Sequence, residues 1–251
     1  MTRFRSILDV TREEWLGALG LDDDSVPDAV IVEGSWWRAE RQAWRLGYLE
    51  DVRELDIPDV FVGTWQDRSV AFCMAYGAPR AAEVIHIFSA IGTKLAIQIG
   101  TCGGLQPHLE PGDLVVPDVV TAADGVATHY AQAATVRATQ RYVERASASL
   151  RQRGHDVHVG PHITFSSLFA ESTSMMARWH EQGLLSVEME TATTLAVAER
   201  FGAEAVSMLV VWDELTRGRR FLDPLPSAAA TALDAANKSV FEVALELTAN
   251  D

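Results

Sequence analysis

Short apolar runs that stop at a glycine recur through the first hundred residues. Ala29 to Val32 runs towards Gly34, Val70 to Ala75 into Gly77, and Leu95 to Ile99 into Gly100. Runs this short, bounded by turn formers, read as buried strands that end in tight turns. Val157 to Thr164 and Ala205 to Trp212 read as further strands. Elsewhere apolar positions recur at three- and four-residue spacing, predicting helices over Ala81 to Ile91, Ala134 to Leu150, Thr191 to Phe201 and Ala228 to Leu247. Thr11 to Glu14 fits a capping box ahead of Trp15, Leu16 and Leu19, and Asp22 to Pro27 reads as a loop. Strands alternating with helices predict an α/β chain, one domain over residues 1–251, with a central mixed sheet flanked by helices on both faces. In such sheets a ligand sits beyond the carboxyl ends of the strands, where Gly34, Gly77, Gly100 and Asp213 all fall. The chain carries no internal repeat, low-complexity tract or interdomain linker.

Composition narrows the choice of partner. With 251 residues, 48% of them apolar, the chain is long enough to bury a large core. A formal net charge of −14 excludes nucleic acid and anionic membrane as expected partners, because no excess of Lys and Arg exists to neutralise them. Any phosphate bound here is therefore expected to be small and locally recognised. The first thirty residues contain no signal-type apolar run and no segment reaches transmembrane length, so a cytoplasmic location is expected. Cys73 and Cys102 fit reduced thiols and read as small packing residues rather than nucleophiles, since neither neighbours a recognisable base. His155, His158 and His162 lack zinc-type spacing and read as structural, so no metal is expected.

The chemistry concentrates at four places. Gly100 to Gly104 reads as a glycine-rich loop at a strand end, where backbone N–H groups, the Thr101 hydroxyl and the stretch of Cys102 and Gly103 can approach a ligand closely. Arg38, four residues after Gly34, is either a surface charge or a cation reaching the same anion. Arg80 follows Gly77 and Pro79 at a predicted helix N-terminus, which itself favours negative charge. Glu188 and Glu190 bracket Met189 at the expected start of a helix, either stabilising that N-terminus or accepting hydrogen bonds from a sugar diol. Asp213 ends an apolar run, where burial raises a carboxyl pKa and allows proton donation to a leaving group; a cap or loop carboxylate is the alternative. Phe169 is either core or a stacking surface for a heterocycle. An oxyanion cradle beside a diol acceptor is what cleavage of a nucleoside by phosphate requires.

These residues together resemble the nucleoside phosphorylase family, which includes uridine phosphorylases, bacterial purine nucleoside phosphorylases and related nucleosidases. The resemblance covers about Ala29 to Leu215 and is strongest at IGTCGGLQPHLEPGDLVV and VEMETATTLAVAERFGA. It implies a partly barrel-like sheet, a homo-oligomer (dimer, trimer or hexamer), and inorganic phosphate as co-substrate with no cofactor. By the same resemblance Gly34, Arg38 and Thr101 would bind phosphate, Glu190 and Met189, with Glu188, the ribose, and Phe169, with Cys102 and Gly103, the base. Asp213 falls where the purine enzymes carry the aspartate that protonates N7. The chain departs from the pattern at three places. Gln98 stands where the phosphorylases carry a phosphate-binding arginine, a loss of about 1.5–3 kcal/mol in anion binding unless Arg80 compensates. The amino terminus lacks the histidine lent to a neighbour's 5′-hydroxyl, and Glu171 to Ser174 replace the residues that read uracil. Arg53 is either the cation donated to a neighbouring subunit or a surface arginine, and Trp36, Trp37 and Trp44 fit a subunit interface or a wall over the substrate. The reading is a phosphorylase of purine-type nucleosides, plain or modified; a nucleosidase using water, a uridine-type phosphorylase and an inactive nucleoside-binding protein are the alternatives.

Overall fold

The computed structural model describes residues 6–220, 222–225 and 227–249. The first five residues, part of the amino-terminal stretch read for charge and for a missing histidine, lie outside them. Ten strands form one mixed sheet: β1 (Ala29–Gly34), β2 (Glu50–Glu54), β3 (Val60–Trp65), β4 (Arg68–Met74), β5 (Leu95–Gly104), β6 (Leu114–Ala123), β7 (Thr135–Arg137), β8 (Val157–Phe165), β9 (Ser186–Glu188) and β10 (Glu204–Glu214). Five of them close on themselves. β5 pairs with β10 and β9, β10 with β6, β6 with β8, and β8 with β9. From β5 the sheet extends outwards through β1, β4, β3 and β2. The parallel core β4–β1–β5–β10 explains the runs that are apolar at every position. Val30 and Val32 pack with Ala71 and Cys73 towards α1 (Arg12–Leu19), α3 (Ala78–Ile91) and α6 (Thr191–Arg200). Ala29 and Ile31 pack with Val70 and Phe72 towards α4 (Gln140–Gln152) and α7 (Ser227–Leu247). The mixed, partly closed sheet agrees with the expected architecture, and no helix among the described residues is long and apolar enough to cross a membrane.

Three expectations need correction. The helix expected over Ala134 to Leu150 begins only at Gln140, because β-branched Thr135 and Val136 zip onto β6 opposite Thr121 and Val120. Gly100 to Gly104 is not a loop but the last half of β5, paired with β10 as far as Glu214 and with β9 at Val187 and Ser186. Its glycines serve close packing: a Cβ at Gly100 would lie 2.7 Å from the Gly34 carbonyl oxygen, and one at Gly103 2.7 Å from Leu215 Cδ1. Glu188 ends β9 rather than opening a helix, and Glu190 is the N-cap of α6. Shorter elements escaped the hydrophobic pattern, among them α2 (Arg38–Leu46) and α5 (Thr173–Glu181). α2 is held by a buried ion pair: Arg45 Nε donates to Glu33 Oε2 at 2.7 Å and Nη2 to Oε1 at 3.1 Å, while Nη1 reaches the Asn237 carbonyl of α7 at 2.9 Å. The residue before Gly34 is thereby fixed to two helices.

Candidate active site

A cleft opens at the carboxyl ends of β1, β5 and β10, the place expected for a ligand. Gly34, Thr101, Cys102, Gly103, Glu188, Met189, Glu190 and Asp213 all line it. Four chain segments far apart in sequence therefore meet there, joined by the turn carrying Leu168 and Glu171.

Glu190 faces the cleft because another residue caps its helix. Glu188 Oε2 accepts hydrogen bonds from the Glu190 and Thr191 N–H groups at 2.6 and 2.8 Å, and the Thr164 hydroxyl accepts from Ala192 N–H at 2.8 Å. Glu188 Oε1 accepts from the Thr164 hydroxyl at 2.6 Å and lies 3.1 Å from His162 Nε2. Burial would raise the Glu188 pKa, but His162 and these donors outweigh it and hold the carboxyl below its ordinary value. With both oxygens occupied, Glu188 is tied to the scaffold, which leaves Glu190 as the carboxyl of this pair turned to the cleft. The Glu190 carboxyl instead rises well above the ordinary range, through burial first and the adjacent Glu188 charge second. Its Oε1 accepts from Gly77 N–H at 2.5 Å, and Oε2 lies against Gly34, 2.2 Å from where a Cβ would stand. Gly77 holds φ at +94°, a conformation glycine adopts without strain, and this points its N–H at Glu190.

Asp213 lines the same cleft from the end of β10. A register shift between Val211 and Asp213 sets an extra residue, Trp212, into β10, a bulge that bends the strand where the carboxylate leaves it. Trp212 packs on Trp37 with ring centroids 4.5 Å apart, and both indoles line the cleft. Asp213 is 7% exposed, and its Oδ1 is buried without a hydrogen-bond partner. Burial pushes its pKa up to about 7 despite the opposing charge of Arg219. Glu171 is likewise pushed up to about 7, by burial first and then by Asp213.

The other predicted residues divide. Arg38 stands at the rim, its guanidinium carbon 5.5 Å from the centroid of the Tyr76 ring that lines the cleft. Phe169 is 79% exposed and meets Trp36 edge to face at 6.2 Å, at the outer margin rather than the floor. Gln98 and Arg80 are not among the lining residues. The Gln98 amide is buried, accepting from the Thr191 hydroxyl at 3.0 Å and from the Ser207 hydroxyl, and donating to the Ile99 carbonyl at 3.2 Å. Arg80 turns away to the Pro58 carbonyl at 2.8 Å and to Glu83 at 3.1 Å. Arg53 is exposed on β2, the far end of the sheet path from the barrel. Trp36 and Trp37 form part of the cleft wall, while Trp44 packs over Arg45, 4.3 Å from ring centroid to guanidinium carbon. The Cys102 thiol, lining the cleft, is pushed up by burial and is no nucleophile. Among the described residues no group of His, Cys, Asp and Glu could hold a metal ion. Three contributors escaped the sequence reading: Ser35, whose hydroxyl is buried without a partner, Tyr76, and Glu171 as an acid of the cleft. Ser35 and Tyr76 each adjoin a strand-terminal glycine, which was the available signal.

A partly closed barrel with a mixed wing of strands, and a cleft at the strand ends lined by buried carboxyls, defines the α/β class of this protein. The chain belongs to the Phosphorylase superfamily, whose family model matches residues 31–247. It is 26% identical over 203 residues to a guanosine phosphorylase of Halorubrum lacusprofundi, covering 80% of this chain and 84% of that protein. It is also 26% identical over 211 residues to a DeoD-type purine nucleoside phosphorylase of Caldanaerobacter subterraneus subsp. tengcongensis, covering 80% and 88%. The fold is that of the crystal structure of uridine phosphorylase from Vibrio fischeri ES114, with a TM-score of 0.77 at 21% identity over 90% of this chain and 93% of that one.

Proposed function

We propose that this chain is a purine nucleoside phosphorylase, transferring the pentosyl group of a nucleoside from its base to inorganic phosphate without a further cofactor. The carrying observation is Asp213, a buried carboxyl with an unpartnered oxygen and a pKa raised to about 7, lining the same cleft as Glu190. In this reading Asp213 gives its proton to N7 as the C1′–N9 bond breaks and the bond pair passes into the base. A phosphate oxygen then forms the new bond to C1′, leaving pentose 1-phosphate and neutral base. Glu190 accepts from the ribose hydroxyls against Met189. Gly34, Ser35 and Thr101 receive the phosphate, with Arg38 supplying positive charge from the rim beside Tyr76. Relatives named guanosine and purine nucleoside phosphorylases support the purine preference over the uridine-type alternative.

Hydrolysis is the second reading, favoured by Gln98 locked onto Thr191 and Ser207 and by Arg80 directed elsewhere. A panel of purine and pyrimidine nucleosides, incubated with and without phosphate and resolved by chromatography, decides between them. The expected result is base release only with phosphate, with pentose 1-phosphate as co-product. Release of free pentose in buffer lacking phosphate would make the protein a nucleosidase.

A further inference from the structure

Two carboxyl groups, not one, stand at the base end of the cleft. Glu171 follows the short turn Leu168–Ala170 and lines the cleft together with Asp213. The same two residues line the adjoining depression that continues to Phe169 and Leu222. Asp213 Oδ1 is buried and unpartnered, and no described residue donates a hydrogen bond to the Glu171 carboxyl group. Asp213 raises Glu171, while the charges acting on Asp213 are Arg219 and Asp223; Arg219 is bonded to Glu214 and the Trp212 carbonyl, and its Nη1 is buried without a partner. Glu171 is half-buried and Asp213 buried, and burial pushes each carboxyl up to about 7, so near neutrality one can hold a proton while the other is charged. Such a pair offers one donor and one acceptor side by side. The N7 edge of a 6-aminopurine offers the complement, an acceptor at N7 and a donor at the exocyclic amine, whereas a 6-oxopurine offers two acceptors.

We infer that Glu171 is a specificity-determining residue: with Asp213 donating to N7, its carboxylate accepts from the C6 amino group and selects 6-aminopurine nucleosides over 6-oxopurine ones. The inference rests on the purine phosphorylase reading. A 6-oxo base would set O6 against the Glu171 carboxylate and leave two buried acceptors facing each other, a mismatch that polar sites reject strongly.

The test compares kcat/KM for adenosine, inosine and guanosine in the wild type and in Glu171→Gln, with a melting curve for each protein. Wild type is expected to favour adenosine by about 10²-fold. Glu171→Gln, whose amide can donate to O6 as well as accept from an amine, is expected to gain at least about tenfold on inosine relative to adenosine and so to erase the preference. A wild type that prefers inosine or guanosine overturns the inference, as does an unchanged ratio in the variant. If Glu171→Gln does not fold, Glu171→Ala replaces it and is expected to erase the preference. If no purine nucleoside is cleaved, the phosphorylase reading fails by itself. The inference is then judged by calorimetry with free adenine and hypoxanthine, where tighter adenine binding lost in the variant supports it and equal binding overturns it.

Discussion

At Asp213 one side chain couples activity to stability with opposite signs. Its carboxyl titrates at about 7 in the folded chain against an ordinary 3.8, so between those values the folded state keeps a proton that the unfolded chain has released. Stability from this group is therefore full below about pH 4, declines as the pH rises to about 7 and is flat beyond. Asp213→Asn removes the buried charge, and should be more stable than wild type by roughly 1–3 kcal/mol at about pH 8, with the gap closing towards pH 4. The same change should lower kcat/KM by about 10²–10⁴-fold, and the wild-type rate should fall as the pH passes about 7. Urea unfolding and pH–rate profiles on both proteins read the two effects; a variant less stable than wild type at high pH would contradict the assignment of Asp213 as a buried acid. Gly34 offers a second test, since a Cβ there would press on Glu190 Oε2. Gly34→Ala should displace that carboxylate and cost up to about 10²-fold in kcat/KM, with a melting temperature close to wild type. The Asp213 environment was legible in sequence because an apolar run ending in a carboxylate has few outcomes other than burial. Glu171 was not, since nothing in the local pattern reveals that its turn folds back over the end of β10.

At the scale of elements, the junction of β9 and α6 decides which acid caps the helix and which faces the cleft. The pattern Glu188, Met189, Glu190 was readable as chemistry, but not its division of labour. Glu188 is buried by the pairing of β9 with β5 and β8, contacts remote in sequence, which place it between His162, Thr164 and two helix N–H groups. Glu188→Ala would strand all of these, and is expected to cost about 3–5 kcal/mol in urea unfolding. Glu188→Gln keeps an acceptor for the helix N–H groups and should recover part of that loss. Equal stability of Glu188→Ala and wild type would mean that α6 is capped otherwise. The same reasoning explains the failure at Gly100 to Gly104. Glycines there looked like a loop because sequence does not show a neighbouring backbone approaching within van der Waals contact, and the strand persists because only glycine lets β1, β5 and the Leu215 side chain pack so closely. The central strands, by contrast, were readable because burial on both faces leaves a continuous apolar run.

Across the whole molecule, charge sets the harder problem for a phosphate co-substrate. The chain carries −14 overall, and the cleft lining contains Glu171, Glu188, Glu190 and Asp213 but no Lys or Arg. A phosphate dianion entering this field is opposed at long range, an effect that salt screens over about 10 Å at 0.1 M ionic strength. Among the described residues, Arg38 at the rim beside Tyr76 and Arg219 beside Asp213 supply countercharge from within the chain. A further cation brought by a neighbouring copy of the chain would resolve the imbalance, so the proposed reaction is expected to require a homo-oligomer. Specific activity should then fall on dilution in step with the loss of the larger species in sedimentation velocity. Substrate should oppose that dissociation, because a ligand held between subunits stabilises the assembled state by mass action. Moderate salt should lower the KM for phosphate by weakening the general repulsion. A fully active monomer would show that Arg38, Ser35, Thr101 and the backbone suffice to hold phosphate, and would remove the neighbouring copy from the mechanism.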